Sequence, residues 1–184
     1  MLFRSPAWAL WRFWWDHSLG AEVQAWCEAA LAAAPDAPPE LRGRALFAAG
    51  DAYYALGDWK EYRRVLAEAL PLLEAGGDKE LVLYALWALS VADHVQGDQQ
   101  GDQDAADRRA LDVLARAEAG GYDELIGRLN VLVGNAALMR GDAAAARAHF
   151  ERAAEKHAQI GDSYGRAVAL ENLAIGRASC RERV

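Results

Sequence analysis

Glycine breaks recur along this chain at a fixed double spacing, and no other feature restricts its fold as much. Gly-Asp pairs stand at Gly57-Asp58, Gly97-Asp98 and Gly141-Asp142, and a second set of breaks at Gly77, Gly121 and Gly161. Within each set the interval is 40 or 44 residues, and the two sets interleave. Glycine ends a helix cheaply in the left-handed conformation, and aspartate caps the helix that follows. The pattern therefore describes helix pairs, and a period of this length belongs to stacked repeat architectures.

The segments between the breaks have helical periodicity. Tyr62, Val65, Leu66, Ala69, Leu70 and Leu73 follow the i, i+3, i+4, i+7 rule. Ala146, Phe150, Ala153, His157 and Ile160 form a second stripe, with Arg147, Glu151, Arg152 and Glu155 off it. The run Glu74 to Leu81 returns 44 residues later as Glu118 to Leu125. No Val/Ile/Thr-rich alternation supports a sheet. Prolines stand at the edges of these segments or, as Pro71, early in a helix. The expected fold is all-α, a right-handed α–α superhelix of about nine helices near 6–18, 21–34, 39–56, 58–75, 78–96, 104–118, 122–139, 142–160 and 162–174. Residues 1–38 would form a Trp-rich helix pair. Repeats would follow over 39–77, 78–121 and 122–161, with a partial one over 162–174. Gly97 to Gln103 reads as a solvated turn with a short insertion.

The last ten residues, Ile175 to Val184, break the pattern and resemble a translated sequencing adapter read in frame. The expectation is that the natural chain is cut near Ala174 and that Cys180 has no role. The chain carries net charge −7, and −9 without Gly176 to Val184, which hold three Arg and one Glu. So acidic a surface repels phosphate backbones and anionic lipid, which argues against nucleic-acid and membrane partners. Cys27 and Cys180 have neither disulfide nor metal spacing, which points to a reducing cytoplasm. The aromatic run Trp8 to Trp15 is interrupted by Arg12 and reads as a core helix, not a signal or membrane span. Seventeen Arg against three Lys, with abundant Ala and Gly, suggest a high-GC bacterial source.

No catalytic or metal constellation stands out. His149 and His157 are eight apart, too far for a two-ligand site, and no third ligand completes one. Asp98, Asp102, Asp104 and Asp107 fit no calcium loop and read as solvated charge. Trp8, Trp11 and Trp15 share a helical face, read first as a core or end-capping cluster and alternatively as a docking face.

The third pair resembles the tetratricopeptide repeat. Leu132, Val133-Gly134, Ala137, the Gly141-Asp142 turn, then Ala146, Phe150 and Ala153 hold the family's large and small positions. The first pair matches through Ala49-Gly50, Tyr53, Gly57-Asp58-Trp59, Leu66 and Ala69, and departs at Tyr62, where alanine is usual. That departure implies looser or rearranged packing. The second pair is weaker, with Ser90 and Asp93 in place of Gly and Tyr, and the long period fits the long-helix variant of the repeat. The stretches Ala9 to Trp14, Trp26 to Pro39 and Leu41 to Leu46 are similar to the start of the C-terminal array in bacterial LuxR-type and AfsR-type STAND NTPase transcriptional regulators. No GxxxxGK[ST] loop or basic recognition helix occurs, so any NTPase and DNA-binding parts of such a regulator lie outside this chain, and Met1 would be an internal methionine.

The resemblance implies a concave surface lined by the first helix of each pair. By position that surface holds Arg44, Phe47, Asp51 and Tyr54, then Tyr84, Trp87, Val91 and His94, then Arg128, Val131, Asn135 and Leu138. The functional expectation is a non-enzymatic binding solenoid without cofactor, the sensor or partner-binding arm of a transcriptional regulator. Its partners would be a protein or peptide, the neighbouring NTPase domain of the parent chain, or a small-molecule effector. The alternative is a free-standing tetratricopeptide adaptor.

Overall fold

The computed structural model describes residues 20–100 and 103–181, and the side chains of 20–95 and 103–176. Every element among the described residues is a helix. They are α1 (Gly20–Ala33), α2 (Pro39–Leu56), α3 (Trp59–Gly76), α4 (Lys79–Gln100), α5 (Gln103–Gly120), α6 (Asp123–Met139), α7 (Ala143–Gln159) and α8 (Ser163–Arg181). The expected helix over 6–18, with its tryptophans, lies outside the described residues.

The helix ends obey the signals that predicted them. Gly57, Gly77, Gly121, Gly141 and Gly161 all have φ between 69° and 82°. At Gly57 and Gly141 the conformation is needed, because the next residue must turn back for the Asp58 N–H to reach the Tyr53 carbonyl (3.0 Å) and the Asp142 N–H the Ala137 carbonyl (2.9 Å). Asp58, Asp78, Asp142 and Asp162 then accept the backbone N–H three residues on, at 2.9 to 3.1 Å. Tyr122 holds the same place before α6 without a side-chain cap.

Three sequence readings need correction. α4 is helical through Gly97 to Gln100, where a turn was expected; an interior glycine costs about 1 kcal/mol and the flanking glutamines favour helix. α8 continues to Arg181, across the suspected tail, since only Gly176 opposes helix there. Pro71 sits in the second half of α3, on its exposed side, not near its start.

The described chain forms two compact units, Met1–Gln96 and Gly97–Val184. In the first, α1 packs on α2 and α2 on α3. The α2–α3 contact is antiparallel: early in α2, Gly43 faces Leu72 and Leu73, and one turn-pair later Gly50 faces Leu66. Tyr62, which the repeat pattern would make alanine, is 2% exposed. Its ring is enclosed by Tyr54 and Trp59, with centroids at 5.5 and 5.9 Å. The packing is rearranged, not loosened. In the second unit, α5 lies on α6, α6 on α7 and α7 on α8. Phe150 is fully buried against Gly134, Ala137, Ala146 and Leu173, so one ring joins three helices. Ion pairs such as Arg42–Glu68, Lys156–Asp123 and Arg152–Glu118 lie at helix edges, where each contributes at most about 1 kcal/mol.

Candidate functional site

The first helices carry the expected surface residues, and their fates differ. In the first unit Phe47 and Tyr84 are 6% and 5% exposed, so both fill the interior and offer a ligand little surface. Arg44 is half-buried at the start of α2, and its Nη2 pairs with Glu40 Oε1 at 3.2 Å and Asp78 Oδ2 at 2.9 Å. Asp78 also caps α4 through its other oxygen, so one carboxylate ties a helix start to a neighbouring arginine. Asp51 and Tyr54 are half-buried further along α2, and Tyr54 packs edge-on to Trp59 at 5.3 Å. On α4, Trp87 and His94 are half-buried. His94 Nδ1 lies 2.8 Å from the Ser90 carbonyl, which can only accept, so Nδ1 carries the proton.

In the second unit Arg128 pairs with Glu124 at 3.2 Å, with both side chains under 20% exposed. Asn135 is half-buried two turns later. The polar positions recur in register. Counted from the residue before each helix (Pro38 for α2, Tyr122 for α6), the second is Glu40 or Glu124 and the sixth Arg44 or Arg128. The thirteenth is Asp51 or Asn135. Each arginine is thus held by an acid one turn earlier and followed two turns later by a polar side chain. In α4, counted from Asp78, the sixth and thirteenth places hold buried Tyr84 and half-buried Val91, neither of them charged or amide, so the track is confined to α2 and α6.

Asn130 and the partners of His149 and His157 escaped the sequence reading, although His157 stood on the expected apolar stripe. Asn130 is 0% exposed and spans α6 and α7. Its Nδ2 donates to the Ile126 carbonyl at 2.8 Å, so its Oδ1 must accept from His149 Nδ1, 2.9 Å away. That fixes the His149 tautomer. His157 is 2% exposed, with its ring between Gly127 of α6 and Gly165 of α8, and Nδ1 is 3.0 Å from Asp162 Oδ2. Burial pushes the His157 pKa below its ordinary value, Asp162 opposes the shift and Arg128 adds to it. The cue to this site is a pair of glycines that fall inside helices, off the break spacing, where close approach is their usual purpose.

Burial, then Asp51 and Glu28, raise the Cys27 pKa, which keeps the thiol protonated and a poor nucleophile. Among the described residues no group of three His, Cys, Asp or Glu could hold a metal ion, and no helix is long and apolar enough to cross a membrane. No family model matches the chain, and no curated protein matches it.

Proposed function

We propose that the chain is a non-enzymatic helical-repeat module that binds a protein or peptide through the edge of its first helices. The polar track that recurs in α2 and α6 carries this reading. Arg44 with Asp51, and Arg128 with Asn135, stand at the same register in two different units. An arginine held by an acid is oriented before a partner arrives, which lowers the ordering entropy lost on binding. A fixed guanidinium and a carboxylate or amide about 10 Å further along a helix suit the alternating groups of an extended peptide better than one compact metabolite. The Gly-Asp turns and the small residues opposite Leu66 and Phe150 support assignment to tetratricopeptide-like repeats. The sequence likeness over Trp26 to Leu46 supports placement in a bacterial regulator, with a neighbouring NTPase domain as the partner.

Peptides selected by display against the folded chain supply the test. Arg44→Ala and Arg128→Ala should each weaken the selected peptides by about tenfold, the effect of losing one well-placed charged contact. Helicity should stay unchanged, because alanine is the strongest helix former. Unaltered binding in both variants would refute the track as the recognition surface.

A further inference from the structure

Both units bring a large side chain to the glycine that precedes the arginine of the track, but the two side chains differ in kind. Counted from Pro38 and Tyr122, the fifth residue is Gly43 in α2 and Gly127 in α6, one before Arg44 and Arg128. Gly43 receives Leu73 of α3, and Gly127 receives His157 of α7, whose Nε2 lies 2.6 Å from where a Cβ would stand. Leu73 and His157 hold one register in their own helices. Leu66, Ala69 and Leu73 in α3 are spaced like Phe150, Ala153 and His157 in α7, and each of the six is at most 2% exposed. Leucine shows that packing at this place does not call for an imidazole, which is costlier to bury. The second unit therefore carries a titratable group where the first carries an apolar one.

The charges that face His157 come from both helices packed on α7. At the start of α8, Asp162 Oδ2 lies 3.0 Å from Nδ1, while Oδ1 of the same carboxylate accepts the Gly165 N–H at 3.1 Å. From α6 come Glu124 and Arg128, paired at 3.2 Å, and both act on the ring through their charge. Lys156, its neighbour on α7, pairs with Asp123. We infer that the second unit's track is a proton-linked site, in which His157 takes up a proton when a carboxylate of a bound peptide settles on Arg128, while the first unit's track, built over Leu73, is not. This rests on the binding reading above, and adds the chemistry of the ligand and the control of the site. A guanidinium favours a carboxylate over a neutral group. In the free chain burial lowers the His157 pKa, Asp162 opposes the shift and Arg128 adds to it. An incoming negative charge offsets Arg128 and favours the imidazolium, so the histidine pKa rises on binding. Linkage is reciprocal, so protonation of His157 tightens binding by the same factor. Affinity for an acidic peptide therefore climbs as pH falls through the histidine range, and the proton comes from solvent.

The probes are two display-selected peptides, one whose binding to the full chain falls with Arg128→Ala and one whose binding falls with Arg44→Ala. The Arg128-dependent peptide should bind about fivefold tighter at about pH 5.5 than at about pH 7.5, the low end of coupling between two sites. Replacing its acidic residues by their amides should remove that rise. The Arg44-dependent peptide should bind alike at both pH values, and so should the first peptide to His157→Gln, whereas His149→Gln should keep the rise. Helicity recorded at each pH shows that folded chains are compared. A second measurement needs no change in the core: the His157 Cε1 proton of the parent, followed by nuclear magnetic resonance, should titrate at higher pH with the Arg128-dependent peptide bound than without it. Binding of that peptide with no pH dependence would overturn the inference and leave the binding reading standing. A rise that persists in His157→Gln, or a His157 titration unmoved by the peptide, would overturn it in the same way. If no selected peptide depended on Arg128, the site and its proton linkage would fall together.

Discussion

Gly134 and Phe150 offer a test of the packing in which the sign of an effect reverses. A Cβ at Gly134 would stand 2.5 Å from Phe150 Cε1 and 2.7 Å from Cδ1. Ordinary van der Waals contact is 3.4–4 Å, so ring or backbone must move by about 1 Å. The ring is 0% exposed and wedged among Ala137, Ala146 and Leu173, so it has nowhere to go. Overpacking of this kind costs about 1–3 kcal/mol, while exchanging glycine for alanine inside a helix returns about 1 kcal/mol. Gly134→Ala should therefore destabilise the parent by up to about 2 kcal/mol. Phe150→Ala alone should cost about 3–5 kcal/mol. In that background the obstacle is gone, and Gly134→Ala should stabilise by about 1–2 kcal/mol, from helix propensity plus one methyl in the vacated space. The coupling energy is then about 1–4 kcal/mol, at or above what pairs in contact usually show. Urea unfolding followed by far-ultraviolet circular dichroism, with m compared across the four proteins, measures it. If Gly134→Ala stabilised both backgrounds equally, the close approach of α6 and α7 at this point would be refuted.

Two further predictions concern titrating groups. Burial lowers the folded pKa of His157 and, with Arg152, that of His149, so the unfolded chain takes up protons that the folded chain does not. That stability is fully present above the ordinary histidine value of 6.5 and falls progressively below it. His157→Gln should flatten the loss as pH falls below 6.5, and His149→Gln should flatten its own part; equal slopes in parent and both variants would contradict the burial argument. Tyr53 joins α2 to α1 through a 2.6 Å hydrogen bond to Glu28, and burial followed by that carboxylate pushes its pKa up to about 12. Glu28→Gln should lower the midpoint of its phenolate absorbance only part of the way to 10.0, because burial, the larger cause, remains; a return all the way would mean the ring is solvated.

Most of the helices were legible because their ends are written locally. A left-handed glycine followed by aspartate is a signal of two residues; it marks both ends of α3 and α7 and the ends of α2 and α6, while Pro38-Pro39 and Gly121-Tyr122 mark the starts of α2 and α6, and all four helices lie within two residues of their expected bounds. The failures come where a local signal meets no tertiary partner. Gly97 looks like the other glycines of the Gly-Asp pairs, yet helix propensity on both sides carries α4 past it. The candidate surface was legible in part. Arg44 and Arg128 could be placed by register, but Phe47 and Tyr84 could not be told from lining residues, since burial depends on what packs across them. The polar interior was legible only at His157, which stood on an apolar stripe; the contact of Asn130 with His149 nineteen residues away, and the two glycines on other helices that receive the His157 ring, were not.

The same division bears on function. Large residues set against glycine or alanine account for the interior, and that grammar asks nothing of the sixth and thirteenth positions of a first helix. Exchanging a largely buried ion pair for well-packed apolar side chains is often neutral or stabilising, so stability does not call for an arginine and its acid there. Stability alone would be served as well by the choice made in α4, where Tyr84 and Val91 stand at those positions. Two helices in two units nonetheless hold Glu, Arg and then a polar side chain in one register. What packing does not require, a partner can, and the experiment on Arg44 and Arg128 asks whether one does.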